Sequence, residues 1–207
     1  MSKTLNSLFA TLLISSAGNA LAASSVDLTV RGLITPSACE PTLSNGGVAD
    51  IGKISAKDLN VNQETRLPFQ HLQLAVTCDA ATLMALEAKD NRVGSSYDDD
   101  TMLFGLGMIN DTEKLGGMEV RIIEPVADGV EPWMIGSQDG GSTWIRDYYF
   151  KQDNILSVAT NGLTTPIPVQ QFTSSLQIRP IIAPASGLTL NNEVAIDGSA
   201  TLTVKYL

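Results

Sequence analysis

Apolar residues in this chain recur at every second position, and nowhere do they sustain the three-to-four spacing of an amphipathic helix. Leu72, Leu74, Val76 and Cys78 form one such series, and Met84, Leu86 and Ala88 form another. Val26, Leu28, Val30, Gly32 and Ile34 alternate with Asp27, Thr29, Arg31 and Leu33. Leu202, Val204 and Tyr206 alternate up to the C-terminal Leu207. Successive side chains leave a strand on opposite faces, so each series reads as a half-buried strand. Val120 to Ile123 and Trp133 to Gly136 read as shorter strands. Asp139-Gly140-Gly141, between Ile135 and Trp144, signals a hairpin turn because glycine tolerates the positive φ that such turns demand. Leu176, Ile178, Ile181 and Ile182 predict a longer strand interrupted by Pro180, which has no N–H and belongs at an edge, a bulge or a bend. Ser55 to Val61 and Ser95 to Met102 offer short helical turns at best. Nine prolines and 17 glycines break the strands at short intervals. The pattern predicts an all-β fold, an antiparallel β-sandwich.

The N-terminus reads as an address. Lys3 is followed by the short apolar run from Leu8 to Ile14 and then by Ala20-Leu21-Ala22, the pattern of a signal peptide spanning residues 1–22. That run is too short to cross a hydrocarbon core of roughly 30 Å, and no later apolar stretch is long enough either. No membrane insertion is expected. In an exported protein Cys39 and Cys78 read as one disulfide, since the chain holds 2 cysteines. A zinc site would need more ligands than two cysteines and the single distant His71 supply. Twenty-two acidic side chains against 13 basic ones give a formal charge of −9, and no basic face for nucleic acid is written here. One domain is expected from about residue 36 to residue 207, preceded by an extended arm, residues 23–35.

Few constellations suggest chemistry. His71 lacks a partnered nucleophile or a G-x-S-x-G frame, and it reads as a strand-edge or surface histidine. Asp98-Asp99-Asp100, with Asp90 and Asp111, lacks the spacing and glycine of a calcium loop and reads as a solvated acidic surface. Asn110-Asp111-Thr112 matches an N-glycosylation pattern that by itself points to no function. Trp133, Trp144, Tyr148, Tyr149 and Phe150 are close together in sequence; they read as a hairpin packing one end of the core, or alternatively as a glycan-binding patch. No catalytic residue, metal site or cofactor is expected, and the chain does not read as an enzyme.

The segment from Leu28 to Cys39, the interval from Cys39 to Cys78, and the C-terminal Ala200-Thr201-Leu202-Thr203-Val204-Lys205-Tyr206-Leu207 together resemble subunits of Gram-negative fimbriae assembled by the chaperone–usher route. More closely, Val26 through Asn91, including Cys78-Asp79-Ala80 and Lys89-Asp90-Asn91, is similar to a fimbrial-subunit group known only as a domain of unknown function. Where pilins often carry a glycine fourteen residues from the C-terminus this chain has Val194, and the nearest glycine is Gly198. The resemblance implies an incomplete immunoglobulin-like sandwich that lacks one strand. Its arm would donate Val26, Leu28, Val30, Gly32 and Ile34 to the next subunit. It also implies recognition of Leu202, Val204, Tyr206 and Leu207 by a periplasmic pilus chaperone. Further implied partners are an outer-membrane usher and other fimbrial subunits, with export through the periplasm to a cell-surface fimbrium that supports adhesion. Burying the four large donor side chains would contribute on the order of 6–12 kcal/mol per junction. A secreted lectin-like adhesin domain, binding glycan through Trp133–Phe150, is the alternative function.

Overall fold

The computed structural model describes residues 38–207 together with Thr29. The segment 1–22 expected to be a signal peptide and the residues expected to be donated, Val26, Leu28, Val30, Gly32 and Ile34, lie outside the described residues. Thirteen strands follow in order: β1 (Cys39–Leu43), β2 (Thr65–Arg66), β3 (Gln70–Thr82), β4 (Met84–Asp90), β5 (Phe104–Gly105), β6 (Met108–Ile109), β7 (Glu113–Lys114), β8 (Gly116–Ala127), β9 (Trp133–Ser137), β10 (Ile145–Arg146), β11 (Ile155–Ala159), β12 (Val169–Ile182) and β13 (Ala200–Tyr206). Three short 3-10 turns, at Ser44–Gly47, Ala56–Asp58 and Ala185–Gly187, are the only helical elements among the described residues. All pairings are antiparallel. The larger sheet runs β1-β3-β12-β8-β5, with β2 also on β12, and the smaller runs β10-β9-β11-β4-β13. The all-β sandwich expected from the alternation is the fold observed.

Alternation does the building. Leu72, Leu74, Val76 and Cys78 of β3 are all buried, as are Met84, Leu86 and Ala88 of β4. They meet Val120, Ile122, Phe172 and Leu176 from the larger sheet and Met134, Leu156 and Val158 from the smaller in one core. Each such side chain contributes roughly 1.5–3 kcal/mol on burial. The Ile135–Trp144 hairpin forms at β9–β10, with Gly140 at φ 72° and Gly141 at φ 95°. β8 runs well beyond the short Val120–Ile123 strand expected.

β12 passes through Pro180 without stopping, and the ladder explains how. On one side β12 pairs with β3 as far as Ile178↔Gln70, and with β2 from Ile181↔Arg66. Continuing the first register places Pro180 opposite Pro68, where the partner changes. The carbonyl of Pro180 accepts from the Leu67 N–H at 2.9 Å, and its missing donor falls in the gap between two ladders.

Candidate strand-acceptor seam

Cys39 and Cys78 stand directly opposite one another in the β1–β3 register and are joined by a disulfide. The Asp79 N–H donates to the Ala38 carbonyl at 2.9 Å, which makes Ala38, Glu40 and Thr42 the hydrogen-bonded positions of β1. The backbone groups of Cys39, Pro41 and Leu43 therefore face away from β3, along the free edge of the larger sheet. Pro41 has no donor to offer there. The Cys39 N–H donates to the Tyr206 hydroxyl at 3.0 Å.

β13 forms the facing edge of the smaller sheet. The Asn91 N–H donates to the Ser199 carbonyl at 2.9 Å and the Leu207 N–H to the Leu83 carbonyl at 3.1 Å, so odd-numbered residues of β13 carry the ladder to β4. Backbone groups of Leu202 and Val204 point to the opposite side. No described strand pairs with that side. The side chains of Ala200, Leu202 and Val204 are half-buried against the main core, while Thr201, Thr203 and Lys205 face solvent. Lys205 meets Glu87 at 3.2 Å on that outer face. Tyr206 and Leu207, with Leu83 beside them, are 40%, 45% and 41% exposed and form a small apolar end.

The seam between these two edges continues past both strands. Beyond β1 the irregular segment 48–54 turns at Gly52, at φ 66°, with Ala49 and Ile51 half-buried. Ahead of β13, Val194 and Ile196 are likewise half-buried and extend the alternating line of Ala200, Leu202 and Val204. No backbone hydrogen bond joins 48–54 to 190–196 among the described residues. Between them lies an open cavity of about 580 Å³, floored by Leu59, Leu115 and Ile182. The 190–196 rim is anchored at its start: the Thr189 N–H donates to Glu113 at 2.6 Å, a bond that holds the Glu113 carboxyl below its usual range, and Asn110 donates to the Thr189 carbonyl at 3.0 Å. At its end Arg92 forks onto Asp197 at 2.8 and 2.9 Å, and the Asp197 N–H donates to the Leu106 carbonyl at 3.1 Å.

Val194 thus lines the seam, and Gly198 explains itself sterically. A Cβ there would meet Leu106 Cδ2 at 2.7 Å and Met118 Sδ at 3.3 Å. A side chain there would have to displace the end of the buried Leu106 for the rim to lie as close to the body.

The remaining sequence candidates fall elsewhere. His71 is exposed on β3, its Nδ1 3.4 Å from the Ser175 hydroxyl. Asp98, Asp99 and Asp100 form an exposed loop, whereas Asp90 is buried and accepts from the Arg92 and Gly105 N–H groups at 2.7 and 2.9 Å. Among the described residues no group of three or more His, Cys, Asp or Glu is disposed to hold a metal. In the aromatic hairpin Phe150 is fully buried, and Arg146 lies 4.3 Å from the Trp133 ring centre and 5.4 Å from that of Tyr148. The Trp144 indole donates to the Gly141 carbonyl at 2.9 Å. The turn itself is braced by Asp139, whose carboxyl is held down to about 2 by hydrogen bonds from Thr143 and Ser137.

The seam was invisible to a reading of single strands, because 48–54 and 193–198 belong to no ladder. The one signal in the sequence was that Val194 and Ile196 continue the alternation of β13 backwards.

Comparison with known proteins gives one family match and two full-length relatives. Residues 28–103 match a family described as a protein of unknown function, DUF1120. The chain is 26% identical over 230 aligned positions to the uncharacterized protein YhcF of Escherichia coli (strain K12), covering 91% of this chain and 93% of that protein. It is 28% identical over 233 positions to the protein GltF of the same organism, covering 91% of this chain and 92% of that one.

Proposed function

We propose that this chain is a structural subunit of a surface fimbria, captured by a periplasmic chaperone and polymerised by donor-strand exchange through an outer-membrane usher, in a fibre that supports adhesion. The observation that carries this reading is the open seam: half-buried apolar side chains and unpaired backbone groups follow one line from Val194 to Val204. An edge of that kind is a template for strand addition and a hazard until something covers it. At about 3.3 Å per residue the line is roughly 33 Å long. The alternating arm segment 26–34 spans roughly 27 Å when extended, so it fits the line with apolar residues inward. The two rims run in opposite senses, Cys39 lying by Tyr206 while Ile51 lies by the 190–196 segment. A strand laid between them is therefore parallel to one and antiparallel to the other.

The arm of one subunit fills the seam of the next. The exposed terminal segment of Tyr206 and Leu207 serves as the chaperone's handle, with the Leu207 carboxylate paired to basic side chains. Deleting residues 23–34 tests the assignment. The deletion variant, expressed with its chaperone, should accept a strand yet donate none: polymers vanish and chaperone complexes persist. Polymers of normal length from that variant would overturn it.

A further inference from the structure

We propose that the outer face of the larger sheet binds an oxyanion-bearing saccharide through Arg121 and Arg179. The two arginines lie on neighbouring strands, with Arg121 opposite Gln177 and Arg179 opposite Glu119. Glu119 is already engaged with Arg66 at 3.4 Å, and neither Arg121 nor Arg179 has a carboxylate within ion-pair distance among the described residues. In a chain carrying −9, two neighbouring cations left unneutralised on one sheet face call for an explanation.

Both guanidiniums are held in place. Arg179 sits 3.5 Å and Arg121 5.7 Å from the centre of the Phe69 ring, and Arg121 also lies 5.7 Å from that of Tyr149. Arg121 donates from Nε to Gln177 at 2.7 Å and from Nη1 to the Tyr149 hydroxyl at 3.2 Å, leaving Nη2 unengaged. The Nε of Arg179 is buried and has no acceptor. Fixed, partly desolvated guanidiniums are prepared for an oxyanion, Arg121 through its unengaged Nη2 and Arg179 through Nη1 and Nη2 rather than its buried Nε, because the side-chain entropy of holding them has already been lost.

The neighbourhood selects the ligand class. Backbone groups here are already paired, β12 lying between β3 and β8, so no peptide strand can add. Gln177, His71 and the Tyr149 hydroxyl supply hydrogen-bonding groups suited to sugar hydroxyls, while the Glu119 carboxylate opposite Arg179 is drawn toward Arg66 at 3.4 Å. A carboxylated or sulfated saccharide presents one oxyanion flanked by hydroxyls, which matches the face.

The test uses the mature chain with three probes in isothermal titration at 0.15 M salt: a heparin-derived hexasaccharide, an oligogalacturonate and neutral maltohexaose. Binding of either acidic saccharide without the neutral one is expected, and which of the two binds identifies the oxyanion as sulfate or carboxylate. Arg121→Gln and Arg179→Gln should each raise Kd about tenfold or more, whereas Lys53→Gln, at an exposed lysine paired with Glu193, should leave it unchanged. Binding of neither acidic probe, unchanged binding by the double glutamine variant, or equal affinity for a duplex DNA of similar charge would each overturn the proposal. Arginine footprinting with phenylglyoxal on the unsubstituted protein gives a reading independent of variant folding. The bound saccharide should shield Arg121 and Arg179 but not Arg92 or Arg146, and the absence of shielding would also refute the site.

Discussion

Residues 200–206 and 193–199 belong to one alternating line, yet the first is a strand and the second is not. Ala200, Leu202 and Val204 ride on β4, which supplies a full ladder and the main core beneath. Val194 and Ile196 rest on the smaller cluster of Leu67, Leu106, Ile109, Leu115 and Ile182, beside the 580 Å³ cavity. The difference comes from β4. It ends at Asp90, whose carboxylate caps the Arg92 N–H, and the chain turns away through Gly94 at φ 81°. Alternation in sequence thus marks an apolar face, but a ladder needs a continuous neighbour, and residues 193–198 have in the described body a single backbone bond, from the Asp197 N–H to the Leu106 carbonyl. A strand supplied from elsewhere would lie along both stretches and remove the distinction.

The sharpest way to break the comparison is at the closed end. The disulfide ties β1, the rim facing β13, to the core strand β3 across 39 residues of sequence. Replacing Cys39 and Cys78 together by serine should lower stability by about 4 kcal/mol in the chain-entropy picture. Urea unfolding checks this: the midpoint should fall with its slope unchanged. The freed β1 should make the Tyr206 end resemble the open Val194 end, so amide exchange along β1 should accelerate more than along β12. Retention of the native midpoint would mean that the bond constrains nothing essential.

A smaller effect separates the two stretches at their junction. Gly198→Ala places a methyl 2.7 Å from Leu106 Cδ2 and should destabilise by about 1–3 kcal/mol as the rim is pushed off the second cluster. Thr203→Ala, farther along β13 and facing solvent, should change little. Thermal unfolding of the pair reads the contrast, and equal values for the two would deny that close approach at Gly198 holds the rim.

How much of this was legible depends on which interaction decided each region. Burial of Leu72, Leu74, Val76 and Cys78 follows from period alone, since one face of a strand between two sheets must be apolar. The cysteine pair followed from composition and compartment. Pro180 was read as marking an irregularity, and it does sit where β12 changes partner, but the long reach of that strand depends on Pro68 facing it from a distant segment. Phe150 and Trp133 look alike in sequence, yet one is core and the other lies under Arg146, a difference set by which sheet face each meets. The seam was least legible, because it is defined by missing pairing between segments more than a hundred residues apart. No local pattern encodes a missing neighbour.

The finest test concerns the one hydrogen bond that joins β1 to β13 among the described residues. Tyr206 Oη accepts from the Cys39 N–H at 3.0 Å, and no backbone pairing links β1 to β13. Tyr206→Phe removes the acceptor while keeping the ring. A typical net hydrogen bond contributes about 0.5–1.5 kcal/mol, and the larger desolvation penalty of an orphaned donor applies only where water cannot reach it. Tyr206 is 40% exposed and Cys39 half-buried, so water can replace the hydroxyl and the loss should sit near the lower end, about 0.5–1 kcal/mol. Stability is therefore the weaker readout and local opening the stronger one. Exchange of the Cys39 amide should accelerate several-fold in the phenylalanine variant, while that of Leu74 and Val76 in the core stays as it was. If the clasp also closes the seam at this end, a peptide of residues 24–35 added to the arm-deleted chain should bind the variant faster than the parent with little change in affinity. Identical association rates would show that the clasp rests on the seam's edge without gating it.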